Sequence, residues 1–161
     1  MLIDYLVAKF RKEKDINLKV DLKQLIIKKF YHFPNSKDLY VSISLYSGGP
    51  DCSYRLRAKI KKKNASFLDF RLSQDILSSD AEQTLNRFYF LKQQFVNQIN
   101  LIKQQYGFKR VHLIGISMGC VTALMITNNN SLINKVILIV PGNCLAESMW
   151  KGIRTQHLKE I

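Results

Sequence analysis

Hydrophobic and polar positions along this chain recur with two periodicities, one of two residues and one of three to four residues. Over 39–46, β-branched and aromatic residues alternate with polar ones and predict a strand that ends at the turn Ser47-Gly48-Gly49-Pro50. Apolar runs predict three more strands, over 66–72, 111–114 and 135–140. The last run is almost continuously apolar, which is typical of a strand in a parallel sheet covered on both faces.

Helical periodicity fills the intervals between these strands. The strongest pattern covers 85–106, between a capping-box sequence that starts at Ser79 and a stop at Gly107. Further helices are predicted over 18–30, 52–63, 118–127 and 145–161; the first is basic and amphipathic and is ended by Pro34 and Asn35. Strands that alternate with helices predict an α/β fold, an open and mostly parallel sheet of about four strands with helices on both faces.

The pentapeptide Gly115-Ile116-Ser117-Met118-Gly119 lies between the predicted strand at 111–114 and the helix that follows it. In a strand, turn, helix context, a G-x-S-x-G sequence places its serine on a sharp turn where the hydroxyl can act as a nucleophile. Gly115 and Gly119 are needed there because strand and helix crowd together on either side of the serine. We expect Ser117 to have a positive φ and to lie at the carboxyl-terminal edge of the sheet.

The order of these features resembles the N-terminal half of an α/β-hydrolase. The features are the glycine turn at 48–49, the strand ending near 69–71, the long helix, the turn at 115–119 (the elbow) and the strand closing at Pro141-Gly142-Asn143. The resemblance covers about 39–143, preceded by a basic helical segment (1–38) and followed by the start of a cap helix (144–161). It implies a partial α/β-hydrolase fold, truncated within the cap, in which Ser117 attacks a carboxylic ester or thioester, as in esterases, lipases and thioesterases. The implied oxyanion hole uses the N–H of Met118 and an N–H from the turn that holds Gly48 and Gly49; no cofactor or metal is implied.

The same resemblance requires an acid and then a histidine after the nucleophilic serine. After Ser117 the acidic residues are Glu147 and Glu160, and the histidine is His157. Glu147 and His157 stand in the right order, but no strand pattern separates them, so they are weak candidates and the triad is expected to be incomplete. The alternative function is a non-catalytic or split-half remnant whose strand at 135–140 pairs with a second copy or a complementing chain.

Charge and cysteine content bear on partners and compartment. The 161 residues carry a formal net charge of +13, and residues 1–63 hold 15 Lys and Arg against 6 Asp and Glu. No basic strand with interleaved aromatic residues and no recognition-helix pattern accompanies the lysines, so a solvated basic face is favoured over a nucleic-acid site. A membrane surface is a less favoured partner. Cys52, Cys120 and Cys144 form neither a C-x-x-C pair nor a zinc pattern, and the start of the chain does not resemble a secretory signal; both favour the cytoplasm.

Overall fold

The computed structural model describes residues 26–45, 52–73, 76–77, 80–128 and 130–139. Within them, the chain forms five strands and three helices. The elements are β1 (Ile26–Tyr31), β2 (Asp38–Leu45), α1 (Cys52–Lys61), β3 (Ser66–Leu72), α2 (Ala81–Tyr106), β4 (Arg110–Ile116), α3 (Gly119–Thr127) and β5 (Lys135–Ile139). Every element predicted from 39 to 139 is confirmed, with ends that shift by a few residues. The helix predicted over 145–161 lies outside the described residues.

The five strands form one sheet in the order β1-β3-β2-β4-β5. β2 pairs in parallel with both β3 and β4, and β4 pairs in parallel with β5, whereas β1 runs antiparallel to β3. The fold is therefore α/β with a mostly parallel sheet, as predicted, although the described chain has five strands rather than about four.

The helix predicted over 18–30 is wrong for 26–30, because these residues belong to β1; residues 18–25 lie outside the described part of the chain. Phe30 packs against the larger apolar cluster and Tyr31 against the smaller one, on opposite faces of the sheet. Only a strand sends neighbouring side chains to opposite faces. The pairing of β1 with β3 thus overrides the helical spacing of the leucines that precede it.

Helices cover both faces of the sheet, which confirms that part of the prediction. α2 and α3 pack on one face and enclose the larger cluster, in which side chains of α2 meet those of β2, β3 and β4. α1 lies on the other face over a smaller cluster that includes Ile60, Phe67 and Ile114. Most of the buried apolar surface therefore lies under α2 and α3, and the two clusters together provide the main stabilisation of the fold.

The long helix α2 follows its predicted periodicity in its central turns, whereas Leu85 and Tyr106 at the two ends of the predicted apolar face are exposed. Phe88, Leu91, Phe95, Ile99 and Ile102 are all buried. The N-cap is Asp80 rather than Ser79. The Asp80 carboxylate accepts hydrogen bonds from the backbone N–H groups of Glu82 and Gln83, at 2.8 and 3.3 Å. Gly107 ends the helix in the left-handed conformation, with φ 67°, as its sequence position predicts. None of the helices in the described ranges is long and apolar enough to cross a lipid bilayer.

A chain of polar side chains is buried on the α1 face. Ser42 on β2 donates to the carboxylate of Asp69 on β3, whose side chain is 1% exposed. Arg71 Nε lies 2.9 Å from the same carboxylate, and Arg71 Nη2 donates to Ser53 Oγ at 2.8 Å. The buried charge of Asp69 is thereby paired and hydrogen-bonded, as burial requires. The chain also ties the first turn of α1 to the centre of the sheet.

A second polar cluster lies at the amino-terminal edge of the sheet, where β2 and β4 begin side by side. Arg110 Nη2 donates to Asp38 Oδ2 at 2.7 Å, and His112 Nε2 lies 3.0 Å from Asp38 Oδ1. The hydrogen bond from Arg110 is the largest influence on the Asp38 carboxyl and lowers its pKa below the ordinary value of 3.8; the hydrogen bond from His112 acts in the same direction.

We expect Asp38 to make the folded state sensitive to acid. Because its pKa is lower in the folded than in the unfolded chain, its stabilisation is complete above pH 3.8 and is lost as the pH falls through the lowered value. In urea denaturation, Asp38→Asn should be less stable than the parent chain at neutral pH, and the difference should shrink as the pH falls below 3.8. An unfolding free-energy difference that stays constant down to about pH 2 would contradict this.

Candidate functional site

Ser117 lies on the turn between β4 and α3, at the carboxyl-terminal edge of the sheet. Its φ is +52°, in the left-handed region that a residue with a side chain adopts at a cost of about 1–2 kcal/mol. The other two non-glycine residues with positive φ in the described ranges are Asn35 and Asn64, a residue type that tolerates this conformation well. The strand, turn, helix context and the positive φ predicted for Ser117 are both confirmed.

Hydrogen bonds on both sides hold Ser117 in this conformation. Its N–H donates to the carbonyl of Ile139 at the end of β5, at 3.0 Å, and its own carbonyl accepts from the N–H of Cys120 at 2.9 Å. The backbone of the turn is therefore tied to the neighbouring strand and to the first turn of α3. The strain is retained because the surrounding structure over-determines the conformation.

The two elbow glycines are required by close contacts. A Cβ on Gly115 would lie 2.6 Å from Cys120 Cα and 3.0 Å from Ala123 Cβ. A Cβ on Gly119 would overlap the carbonyl oxygen of Ile43 on β2. Since these neighbours are mostly backbone atoms, they cannot rotate away. The predicted role of Gly115 and Gly119, to let strand and helix approach each other, is what these distances describe.

The hydroxyl of Ser117 is available for chemistry. Ser117 is exposed, and its Oγ has no hydrogen-bond partner among the described residues. The N–H of Met118, the predicted first oxyanion donor, is likewise unused within the described part of the chain. Met118 directly precedes α3, where unpaired N–H groups and the helix dipole favour negative charge.

The predicted second donor would come from the turn after β2. Gly48 and Gly49 lie outside the described residues. β2 is the direct neighbour of β4, with Ile43 opposite Gly115, and the start of α3 touches the Ile43 carbonyl. The chain that leaves β2 therefore starts beside the elbow, as a second donor from this turn requires.

Neither histidine in the described ranges can serve Ser117 as a base. His112 lies on β4 five positions before the serine, roughly 16 Å away along the strand, and its Nε2 is engaged with Asp38. His32 follows β1, where its ring lies 4.6 Å from that of Tyr106. Glu147 and His157 lie outside the described residues. In the ranges described, no group of three or more His, Cys, Asp and Glu side chains could hold a metal ion.

Cys120, the second residue of α3, has a buried thiol. It is 3% exposed, and its Sγ lies 3.6 Å from the carbonyl oxygen of Ile139. Burial raises the pKa of this thiol above its ordinary value of 9.0, so that the reactive thiolate is scarce at neutral pH. Of the two side chains, only the hydroxyl of Ser117 is exposed to solvent.

Sequence reasoning missed a cavity of about 770 Å³ on the α1 face of the sheet. Its walls include Tyr31 from the end of β1, Phe67 from the start of β3, and Tyr54 and Arg57 from α1. The one signal in the sequence is the three-residue spacing of Tyr54 and Arg57, which places both on one face of a helix. Nothing in the sequence indicates that β1 supplies the opposite wall.

Replacing Gly119 by Ala should cost about 3 kcal/mol or more of unfolding free energy, because a strand or helix backbone must move to admit the Cβ. Gly107→Ala is the matched control: Gly107 also has a special backbone conformation, with φ +67°, but open space around the added Cβ. It should cost only about 1–2 kcal/mol. Urea denaturation measures both, and equal losses would mean that the contact with Ile43 is not tight.

Among solved structures, the chain is similar to a histone deacetylase from Saccharomyces cerevisiae, with 9% sequence identity over 92% of this chain and 76% of that chain and a TM-score of 0.49. A likeness of this extent carries no argument about function. No protein-family model matches the sequence, and no curated protein is significantly similar to it. The α/β architecture therefore rests on the strands and helices themselves.

Proposed function

We propose that Ser117 is the nucleophile of a serine hydrolase-type site for carboxylic esters or thioesters. The observation that carries the proposal is the elbow itself: an exposed serine with φ +52° between a strand and a helix, flanked by two glycines that no larger residue could replace. A structural turn could place glycine or asparagine at this φ at less cost. A strained serine is better explained by what its hydroxyl does.

The reaction is acyl transfer. Ser117 Oγ attacks the carbonyl carbon of the substrate, a base takes the hydroxyl proton, and the alcohol or thiol leaves with a proton as the acyl-enzyme forms. Water then attacks the acyl-enzyme, releases the carboxylic acid and restores the serine hydroxyl. The amino end of α3 and the unused N–H of Met118 favour the negative oxygen that forms in both steps. A backbone donor of this kind typically matters by about 3 kcal/mol.

The site is proposed to be incomplete in this chain. A serine hydroxyl needs a base that is held by an acid, and the described residues around Ser117 supply neither. Glu147 and His157 stay weak candidates for these roles. Triad loss in serine hydrolases leaves a residual acceleration of about 10³–10⁴ over water, from the oxyanion hole and binding alone.

The alternative function, a split-half or non-catalytic remnant, is favoured by one observation. Within the described residues β5 is the last strand of the sheet, next to β4 on one side only. Its open backbone groups can pair with a second copy or with a complementing chain that carries the missing acid and base. Such pairing would bring a new strand directly beside Ile139, whose carbonyl contacts the elbow.

A fluorophosphonate probe tests the nucleophile. We expect slow labelling of one site per chain, identified by intact mass and peptide mapping as Ser117. Ser117→Ala should abolish the label. Ser131→Ala, which alters another exposed serine in a turn, should retain it. If the parent chain takes up no probe, or if Ser117→Ala is labelled as Ser131→Ala is, Ser117 does not have the proposed role.

Turnover tests the missing triad. The chain should hydrolyse p-nitrophenyl acetate barely above background, and Ser117→Ala should lower this rate by about tenfold or less, because positioned proton transfer is absent. Turnover above about 1 s⁻¹ that Ser117→Ala abolishes would show that a complete site exists, and His157→Ala and Glu147→Gln would then identify its base and acid. A rate per chain that rises with chain concentration would favour the alternative, in which β5 recruits a partner.

A further inference from the structure

The cavity on the α1 face is separate from the elbow. Phe67 in its wall is opposite Tyr40, and Tyr40 is opposite His112, so this level of the sheet lies five residues before Ser117. Along parallel strands that separation is roughly 16 Å. The cavity is thus near the amino-terminal edge of the sheet, whereas Ser117 is at the carboxyl-terminal edge. Any ligand of the cavity is bound independently of the elbow.

Aromatic rings form much of the cavity wall. Tyr31 and Phe67 lie on neighbouring strands with ring centroids 6.3 Å apart and ring planes tilted by only 21°. Phe67 is only 1% exposed and supports the wall from within, and Phe33 continues the wall beyond β1. Tyr54 on α1 has 59% of its surface exposed, so its ring offers a flat, apolar surface to a planar ring from solution.

Three cations complete the lining. The guanidinium carbon of Arg57 lies 4.6 Å from the ring centroid of Tyr31 and 5.2 Å from that of Tyr54, so the two rings hold it in place. Lys61 and Lys62 line the cavity at the end of α1 and are exposed. In the described ranges no carboxylate pairs with any of the three, and the lining contains no acidic residue. The positive charge is therefore available to an anion.

We propose that this cavity binds a nucleotide, with its phosphate at Arg57, Lys61 and Lys62 and its base against the exposed ring of Tyr54. Arginine and lysine are the side chains that bind phosphate, and a guanidinium fixed by stacking is already oriented for it. Aromatic side chains stack on nucleic-acid bases without regard to sequence. The volume of about 770 Å³ falls within the range of small-molecule sites.

The combination of groups favours a nucleotide over simpler ligands. An inorganic anion would use the cations but not the aromatic wall, and an uncharged aromatic compound would leave three cations unused. A free nucleotide and a nucleotide within a single strand of nucleic acid offer the same phosphate and base. Both sources are therefore compared in the test.

The probes are AMP and ATP, a fluorescein-labelled single strand of about ten nucleotides, and inorganic phosphate, each at about 0.15 M salt so that weak long-range attraction is screened. Calorimetry measures the small probes and fluorescence anisotropy measures the strand. Two pairs of variants isolate the cavity. Lys61→Glu/Lys62→Glu alters two lining residues, and Lys59→Glu/Lys63→Glu makes the same change in net charge on neighbouring exposed residues that are not in the lining. Tyr54→Ala is matched by Tyr89→Ala, an equally exposed tyrosine on α2.

We expect AMP, ATP or the labelled strand to bind, with Kd raised about tenfold or more by Lys61→Glu/Lys62→Glu and by Tyr54→Ala, and by less than about threefold by the two control variants. Binding of AMP and ATP identifies a free nucleotide as a ligand, and binding of the strand alone identifies single-stranded nucleic acid. Ser117→Ala should leave all Kd values unchanged, so the result does not depend on the proposed hydrolase site. Circular dichroism and thermal melting verify that each variant is folded.

Three outcomes would overturn the proposal. One is the absence of binding by every nucleotide probe at about 1 mM, which corresponds to less than about 4 kcal/mol of binding free energy. Another is an equal loss in the two lysine variants or in the two tyrosine variants, because it would show that general charge or general surface, and not the cavity, holds the ligand. The third is inorganic phosphate that binds as tightly as AMP, because the aromatic wall would then contribute nothing.

Discussion

The contact between Gly119 and the carbonyl of Ile43 is the constraint on which the rest of the structure depends. It brings the first turn of α3 directly onto β2. On the adjacent strand β4, Gly115 leaves room for Cys120 of the same helix. Because α3 lies so close, the chain must turn from β4 into the helix within two residues, and this sharp turn gives Ser117 its positive φ. The hydrogen bond from Ser117 to Ile139 then ties β5 to the same point. One close approach thus determines the positions of α3, of β5 and of the candidate nucleophile.

The two faces of the sheet have different physical roles. The face under α2 and α3 is apolar and contains most of the core, so it supplies most of the stability. The face under α1 is mixed: beside a small apolar cluster it buries the hydrogen-bonded chain from Ser42 through Asp69 and Arg71 to Ser53. Buried polar groups contribute little net stability once their desolvation is counted, but they specify which groups must be neighbours. On this face the hydrogen-bonded side chains link β2, β3 and α1, and β3 and α1 also form part of the cavity wall.

The two candidate sites lie at opposite edges of the sheet and use different chemistry. Ser117 sits at the carboxyl-terminal edge, where parallel strands end and the amino terminus of α3 favours a developing negative charge. The cavity sits near the amino-terminal edge, where α1 ends in a run of lysines with no acid among them. The net charge of +13 is thus not spread evenly over the molecule; part of it is concentrated at one cavity whose walls are aromatic.

The sequence by itself determined the local elements that its periodicity encodes. α2 could be predicted because its buried residues recur at helical spacing between Asp80 and Gly107, and the elbow could be predicted because only glycine fits on both sides of Ser117. β1 could not be predicted, since its strand form depends on pairing with β3 some forty residues later, and its own spacing is equally compatible with a helix. The cavity depends on that same pairing. Tyr31 contacts Arg57 and Phe67 only when β1 is paired with β3. The contact between these aromatic and basic side chains is therefore a property of the tertiary structure. Contacts between residues distant in sequence leave no periodic signal in the chain.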